Sequence, residues 1–142
     1  MRSKFYFTFI IALLVTTSLA LPIFVKITGP QAAAASGFIS YEAENFSKIR
    51  AEGKSMVVHV HASWCPACKQ QVPVLQALAQ DPEFDGVQFV RVDFDTEKAF
   101  LRENRVPVQS IVLVYKNGGE PARIVGVVDA KELTSRIRAA VS

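Results

Sequence analysis

The two cysteines of this chain stand three positions apart, in Trp64-Cys65-Pro66-Ala67-Cys68, where a short strand-like run, Met56 to Val60, gives way to a helical pattern from Cys65 to Ala79. A strand that hands over directly to a helix places the first cysteine where backbone N–H groups lack an intrahelical partner and the positive end of the helix dipole lies. Both favour a thiolate, so Cys65 reads as a nucleophile. Cys68, one turn further in, can close onto Cys65 as a disulfide and release a trapped partner. Pro66 suits the first helical turn, where its missing N–H would have been unpaired anyway.

Other uses of two cysteines compete with this reading. A structural disulfide closing so short a loop restrains the unfolded chain little. A c-type haem site needs His directly after the second cysteine, and Lys69 stands there. A metal site is a more serious rival. His59 and His61 are two apart on the preceding strand, hence on one face, and could join Cys65 and Cys68 in a Cys₂His₂ set. No second C-x-x-C or H-x₃-H pair accompanies them. A metal-binding or redox-inert adaptor module therefore stands as the alternative to an enzyme that works without a cofactor.

The pattern around the motif is that of one α/β domain. Phe46 and Ile49 mark a helix over Glu42 to Ala51 that stops at Gly53, and Val72, Leu75 and Leu78 form one stripe of the cysteine-bearing helix, which also contains Pro73. Val87 to Asp93 reads as a strand and Thr96 to Asn104 as a short helix. Ile111 to Tyr115 is apolar on both faces, the mark of a central strand. A turn at Lys116-Asn117-Gly118-Gly119-Glu120 leads into a second strand, Arg123 to Val128, as an antiparallel hairpin. Asp129-Ala130-Lys131-Glu132 opens a last helix carrying Leu133, Ile137 and Val141. The order αβαβαββα predicts a central mixed β-sheet flanked by helices on both faces.

Charge separates this domain from what precedes it. The 142 residues carry a net charge of +3, yet all 13 acidic residues lie beyond Ser36, balanced there by 13 of the 16 Lys and Arg. A neutral domain offers no broad cationic surface for a phosphate backbone, which argues against a nucleic-acid partner. The remaining cations, Arg2, Lys4 and Lys26, flank an uncharged apolar stretch from Phe5 to Val25. That stretch reads either as a membrane anchor or as a signal peptide with small-residue sites ending at Ala20 or Ala35. Residues 1–35 are thus expected to be a signal peptide or an anchor with its linker, and residues 36–142 the folded domain. With the basic end held in the cytoplasm, the domain is expected outside it, periplasmic or otherwise extracytoplasmic.

From about Ser40 to Val141 the chain resembles the thioredoxin family. The resemblance rests on Trp64-Cys65-x-x-Cys68, on Lys69 after it, on Pro73 in the active-site helix, and on Asp95, Lys116-Asn117-Gly118 and Gly126 in ungapped register downstream. It implies a thioredoxin-like fold and a thiol-disulfide oxidoreductase acting on protein disulfides or thiols, with Cys65 nucleophilic, Cys68 resolving, and Trp64, Pro66 and Ala67 supporting them. A likeness to membrane-tethered reductases of the cell envelope implies a reducing role fed by a membrane electron donor. Two positions depart from the family. His59 stands where the family has a buried acid, six residues before the first cysteine. Ser110 stands where the family has a cis-proline facing the disulfide, and Gln109 precedes it. Without proline the Gln109–Ser110 bond is expected to be trans. The Ser110 hydroxyl is then expected either to donate to the Cys65 thiolate or to leave room for a metal that bridges Cys65 and Cys68.

Overall fold

The computed structural model describes residues 37–142. The apolar stretch 5–25 and the domain boundary at residue 35 lie outside the described residues. Within them the elements run β1 (Ile39–Ser40), α1 (Ala43–Ala51), β2 (Met56–His61), α2 (Pro66–Leu78), a 3₁₀ turn (Pro82–Phe84), β3 (Gln88–Asp93), α3 (Lys98–Glu103), β4 (Ile111–Tyr115), β5 (Ala122–Val125) and α4 (Ala130–Val141).

The five strands form one sheet in the order β1-β3-β2-β4-β5. β1 and β2 pair with β3 in parallel, whereas β4 pairs antiparallel with β2 and with β5. The sheet is therefore mixed, as the pattern predicts. Parallel pairing of β2 and β3 needs a crossover, which α2 provides. β2 occupies the centre and carries the cysteine motif at its end; β4 is interior but one place off centre. The small β1 is absent from the sequence-based order because two residues offer no periodicity to read.

Alternation along β2 and β4 sends side chains to two separate cores. On one face Met56, Val58, Val60, Leu113 and Tyr115 pack with Phe46 and Ile49 of α1 and with Phe100 and Leu101 of α3. On the other, Val57, Val112 and Val114 pack with Leu75 and Leu78 of α2 and Leu133 and Ile137 of α4. Helices thus cover both faces. Truncating a fully buried leucine such as Leu75 or Leu133 to alanine is expected to cost about 2–5 kcal/mol.

Local chemistry terminates the elements as read from the sequence. Asp129 caps α4 by accepting from the Glu132 N–H at 2.8 Å. Between β4 and β5, Asn117 and Gly118 both have positive φ, 51° and 71°, as the two central residues of a tight hairpin turn require. Gly118 also sits against the end of α1: a Cβ there would lie 2.3 Å from the Arg50 carbonyl oxygen.

One side-chain assignment is corrected. The stripe that α2 buries is Cys68, Gln71, Leu75 and Leu78, and Val72 is only half-buried. Hydrophobicity favours Val72, but the spacing of three and four from Cys68 and Leu75 selects Gln71, and this glutamine finds hydrogen-bond partners inside.

Candidate active site

β2 ends at His61, and the chain turns through Ala62, Ser63 and Trp64 into α2. The Cys65 N–H donates to the Ala62 carbonyl at 3.1 Å, which closes that turn. Cys65 has extended backbone angles, φ −80° and ψ 116°, and is the N-cap of α2, with Pro66 at the first helical position. Its Sγ accepts the otherwise unpaired N–H of Cys68 at 3.1 Å. The sulfur thus stands where a side-chain oxygen usually caps a helix, and negative charge on it is met by an N–H and by the helix dipole.

Both cysteines are buried and both are free thiols. Cys68 lies deeper, its Sγ 4.0 Å from the Val60 carbonyl oxygen. Burial pushes the Cys68 thiol up, as does its hydrogen bond with Cys65, against the lowering effect of the backbone at Ala62 and Ser110. The two sulfurs are therefore inequivalent, with the deeper one held as a thiol. Pro66 and Ala67 form the first turn between them. Trp64 is 55% exposed beside the pair, and its indole N–H donates to the Asp95 carboxylate at 2.9 Å.

Behind Cys68 lies a fully buried polar cluster. Nε2 of His59, on β2, is 3.0 Å from Oε1 of Gln71, on α2. The Ser110 hydroxyl donates to the same Oε1 at 3.1 Å. Gln71 Nε2 donates to the Val127 carbonyl at 2.9 Å and to the Ser110 carbonyl at 3.4 Å. With the amide so oriented, the His59 hydrogen belongs on Nε2, and Nδ1 is buried without a partner. Burial lowers the His59 pKa to about 4, outweighing the opposing hydrogen bond from Gln71, and the positive charges of His61 and Arg91 lower it further. His59 is thus a neutral imidazole at ordinary pH.

Ser110 sits beside Cys68 through its backbone, but its hydroxyl serves Gln71, which corrects the expectation that it donates to the Cys65 thiolate. Among the described residues every peptide bond is trans, that between Gln109 and Ser110 included, and Ser110 adopts a left-handed φ of 63°. Its N–H donates to the Val60 carbonyl at 3.0 Å, and its carbonyl accepts from the Gly126 N–H at 2.9 Å. Gln109, half-buried, precedes it.

His59 and His61 share a face, with ring centroids 5.5 Å apart. Among the described residues, however, no three His, Cys, Asp or Glu side chains are grouped to hold a metal ion. Sequence inspection passes over Gln71, although a polar side chain on the apolar stripe of a helix, one turn after a cysteine, is the signal that marks it. Asp95 stands in the sequence pattern only as a register point; the fold makes it the acceptor for Trp64.

A helix capped by one cysteine with a second cysteine one turn in, on the central strand's exit from a mixed sheet, defines a thiol-disulfide oxidoreductase. The thioredoxin family model matches residues 37–139. A thioredoxin H-type of Fagopyrum esculentum is 36% identical over 58% of this chain and 70% of its own length. A thioredoxin of Chlamydia trachomatis is 33% identical over 66% of this chain and 89% of its own. Among solved structures, Trxlp from Edwardsiella tarda EIB202 superposes with a TM-score of 0.68 and 34% identity, covering 70% of this chain and 97% of that one. This chain belongs to the thioredoxin family.

Proposed function

We propose that this protein is an exported reductase of protein disulfides in which Cys65 attacks and Cys68 resolves. The observation that carries the division of labour is the capping contact: the Cys68 N–H donates to Cys65 Sγ, while Cys68 itself is buried and its thiol is pushed up. The Cys65 thiolate forms a bond to one sulfur of the substrate disulfide as the substrate S–S bond breaks, and the other substrate sulfur leaves as a thiolate. Cys68, losing its proton, then attacks Cys65 Sγ. The Cys65–Cys68 disulfide forms and the second substrate thiolate departs. Two electrons have passed to the substrate, whose two thiolates take up the proton released by Cys68 and one from solvent, and an external dithiol, supplied by a membrane electron donor, returns the pair to its reduced state.

Export is inferred from Arg2 and Lys4 ahead of the apolar stretch 5–25. That segment supports either anchoring to the cytoplasmic membrane or cleavage after Ala35. Direction is inferred from the likeness to tethered envelope reductases.

The test is substitution with thiol trapping in cells. Cys65→Ser abolishes exchange, and Cys68→Ser accumulates mixed disulfides with substrates. The native pair is trapped mostly reduced. Equal alkylation of both thiols at neutral pH would refute the division of labour, and a mostly oxidised pair would reverse the direction. An alkaline phosphatase fusion after Ser36 is active if the domain is exported and inactive if it is not.

A further inference from the structure

A groove of about 530 Å³ lies between α3 and the loop that leads to Ser110, a volume in the range of ligand sites. Its floor is apolar, made by Phe94, Leu101, Val106 and Pro107. Its remaining lining residues are three exposed cations, Lys98, Arg102 and Arg105, and no carboxylate lines it. Among the described residues none of these three cations forms an ion pair. Lys98 Nζ donates to the Phe94 carbonyl at 2.7 Å and lies over the Phe94 ring, and Arg105 also lines a neighbouring cleft with Glu103 and Glu120, which leaves Arg102 as the cation of the groove with no other polar side-chain contact among the described residues.

The groove adjoins the redox pair by two routes. Phe94, which lines it, also packs against the cluster of Ala62, Cys65 and Cys68. From Pro107 the chain continues to Ser110, whose N–H donates to the same Val60 carbonyl that lies 4.0 Å from Cys68 Sγ. Three residues of extended chain reach about 10 Å. A polypeptide bound with its disulfide at Cys65 would bring the residues about two to four positions from its cysteine over the groove.

We propose that this groove selects substrates by charge: building on the reductase reading, it receives an acidic flank of the disulfide-bearing polypeptide, with Asp or Glu carboxylates against Lys98, Arg102 and Arg105 and an apolar side chain on Phe94 and Leu101. Charge complementarity argues for this occupant, because three cations without an ion pair around an apolar floor repel a basic segment and hold a carboxylate more strongly than the neutral oxygens of an uncharged one. The neutral total charge of the domain hides this local asymmetry, which arises only where the fold gathers the three cations without an acid.

The experiment uses the full chain in mild detergent and three peptides, each with the same single disulfide, flanked by Glu, by Ser or by Lys. The expected order of kcat/KM is acidic, neutral, basic, with about tenfold between the extremes at about 50 mM salt and a much smaller spread at about 500 mM, where screening is short-ranged. Arg102→Glu, an exposed change that circular dichroism will show to be folded, lowers the ratio of acidic to basic rates, and Arg105→Gln lowers it less. Equal rates on all three peptides, or an order that survives Arg102→Glu, overturn the groove and leave the reductase standing. Reduction of none of the three removes the reductase reading, and the proposal with it. An Arg102-dependent dimer in sedimentation of the protein alone would assign the groove to a second copy and overturn the proposal.

Discussion

The imidazole Nε2 of His59 and the carboxamide oxygen of Gln71 lie 3.0 Å apart across the interface of β2 and α2, fully enclosed. This contact joins the central strand to the active-site helix one turn behind Cys68. Because Gln71 also takes the Ser110 hydroxyl, one oxygen atom joins β2, α2 and the loop before β4.

Burial of neutral His59 gives stability a defined pH dependence. The unfolded chain takes up a proton on this residue as pH falls through its ordinary 6.5, whereas the folded state resists until about 4. The contribution is present in full above pH 6.5 and is lost progressively as pH falls towards 4, about 3 kcal/mol in all. Urea unfolding at neutral pH and near pH 4.5 is expected to show a steeper loss for the native protein than for His59→Leu. Parallel losses would mean that His59 titrates normally.

Removing the Gln71 amide leaves the His59 N–H and the Ser110 hydroxyl buried without an acceptor. Gln71→Leu is expected to destabilise by about 2–4 kcal/mol. In a double-mutant cycle with Ser110→Ala, the coupling should reach about 1 kcal/mol, since the second substitution removes a donor already orphaned by the first. Additive effects in chemical denaturation would show that the shared oxygen is not a joint.

Ser110 combines a φ of 63° with an N–H bonded to the Val60 carbonyl. Proline forbids both, with φ held near −65° and no hydrogen to donate, so Ser110→Pro is expected to destabilise by about 3 kcal/mol or more. Ser110→Gly relieves a left-handed side chain while losing a hydroxyl bond, and the net change should stay within about 1 kcal/mol. Thermal melts of the two variants decide it; a proline variant as stable as the native protein would mean that the loop has a second path.

Gly118 and Gly126 have nearly equal φ, 71° and 65°, but different surroundings. A methyl group at Gly126 meets nothing within 4 Å, so Gly126→Ala carries only the backbone penalty, about 1 kcal/mol. At Gly118 the same methyl meets the Arg50 carbonyl oxygen at 2.3 Å, and the hairpin must lift from α1. The Gly118→Ala loss is expected to be at least twice that of Gly126→Ala, and each 1 kcal/mol should lower Tm by about 4–8 °C in a domain of this size. Equal melting temperatures would contradict the docking of the turn on the helix.

Much of this architecture is written in local pattern. The Cys65–Cys68 spacing at a helix start, the Asp129 cap and the Asn117-Gly118 turn each depend on neighbours within a few positions. The chain there has only short-range choices to make. The short β1 and the burial of Gln71 escape such reading for opposite reasons. Ile39 and Ser40 are too few to show a period, and Gln71 shows the right period with the wrong hydrophobicity.

Sequence alone therefore determined the order of the elements from α1 to α4, the two chemical groups at Cys65 and Cys68, and their place at a helix N-terminus, because each follows from steric and hydrogen-bonding rules acting along the chain. Only the tertiary structure decided where His59 and the Ser110 hydroxyl find partners, and which cations stand without an acid beside Phe94. His59, Gln71 and Ser110 are brought together by β2, α2 and the loop before β4, although Gln71 and Ser110 stand 39 positions apart in the chain. Burial turns that encounter into a requirement: a polar atom removed from water must find its partner wherever the fold supplies one.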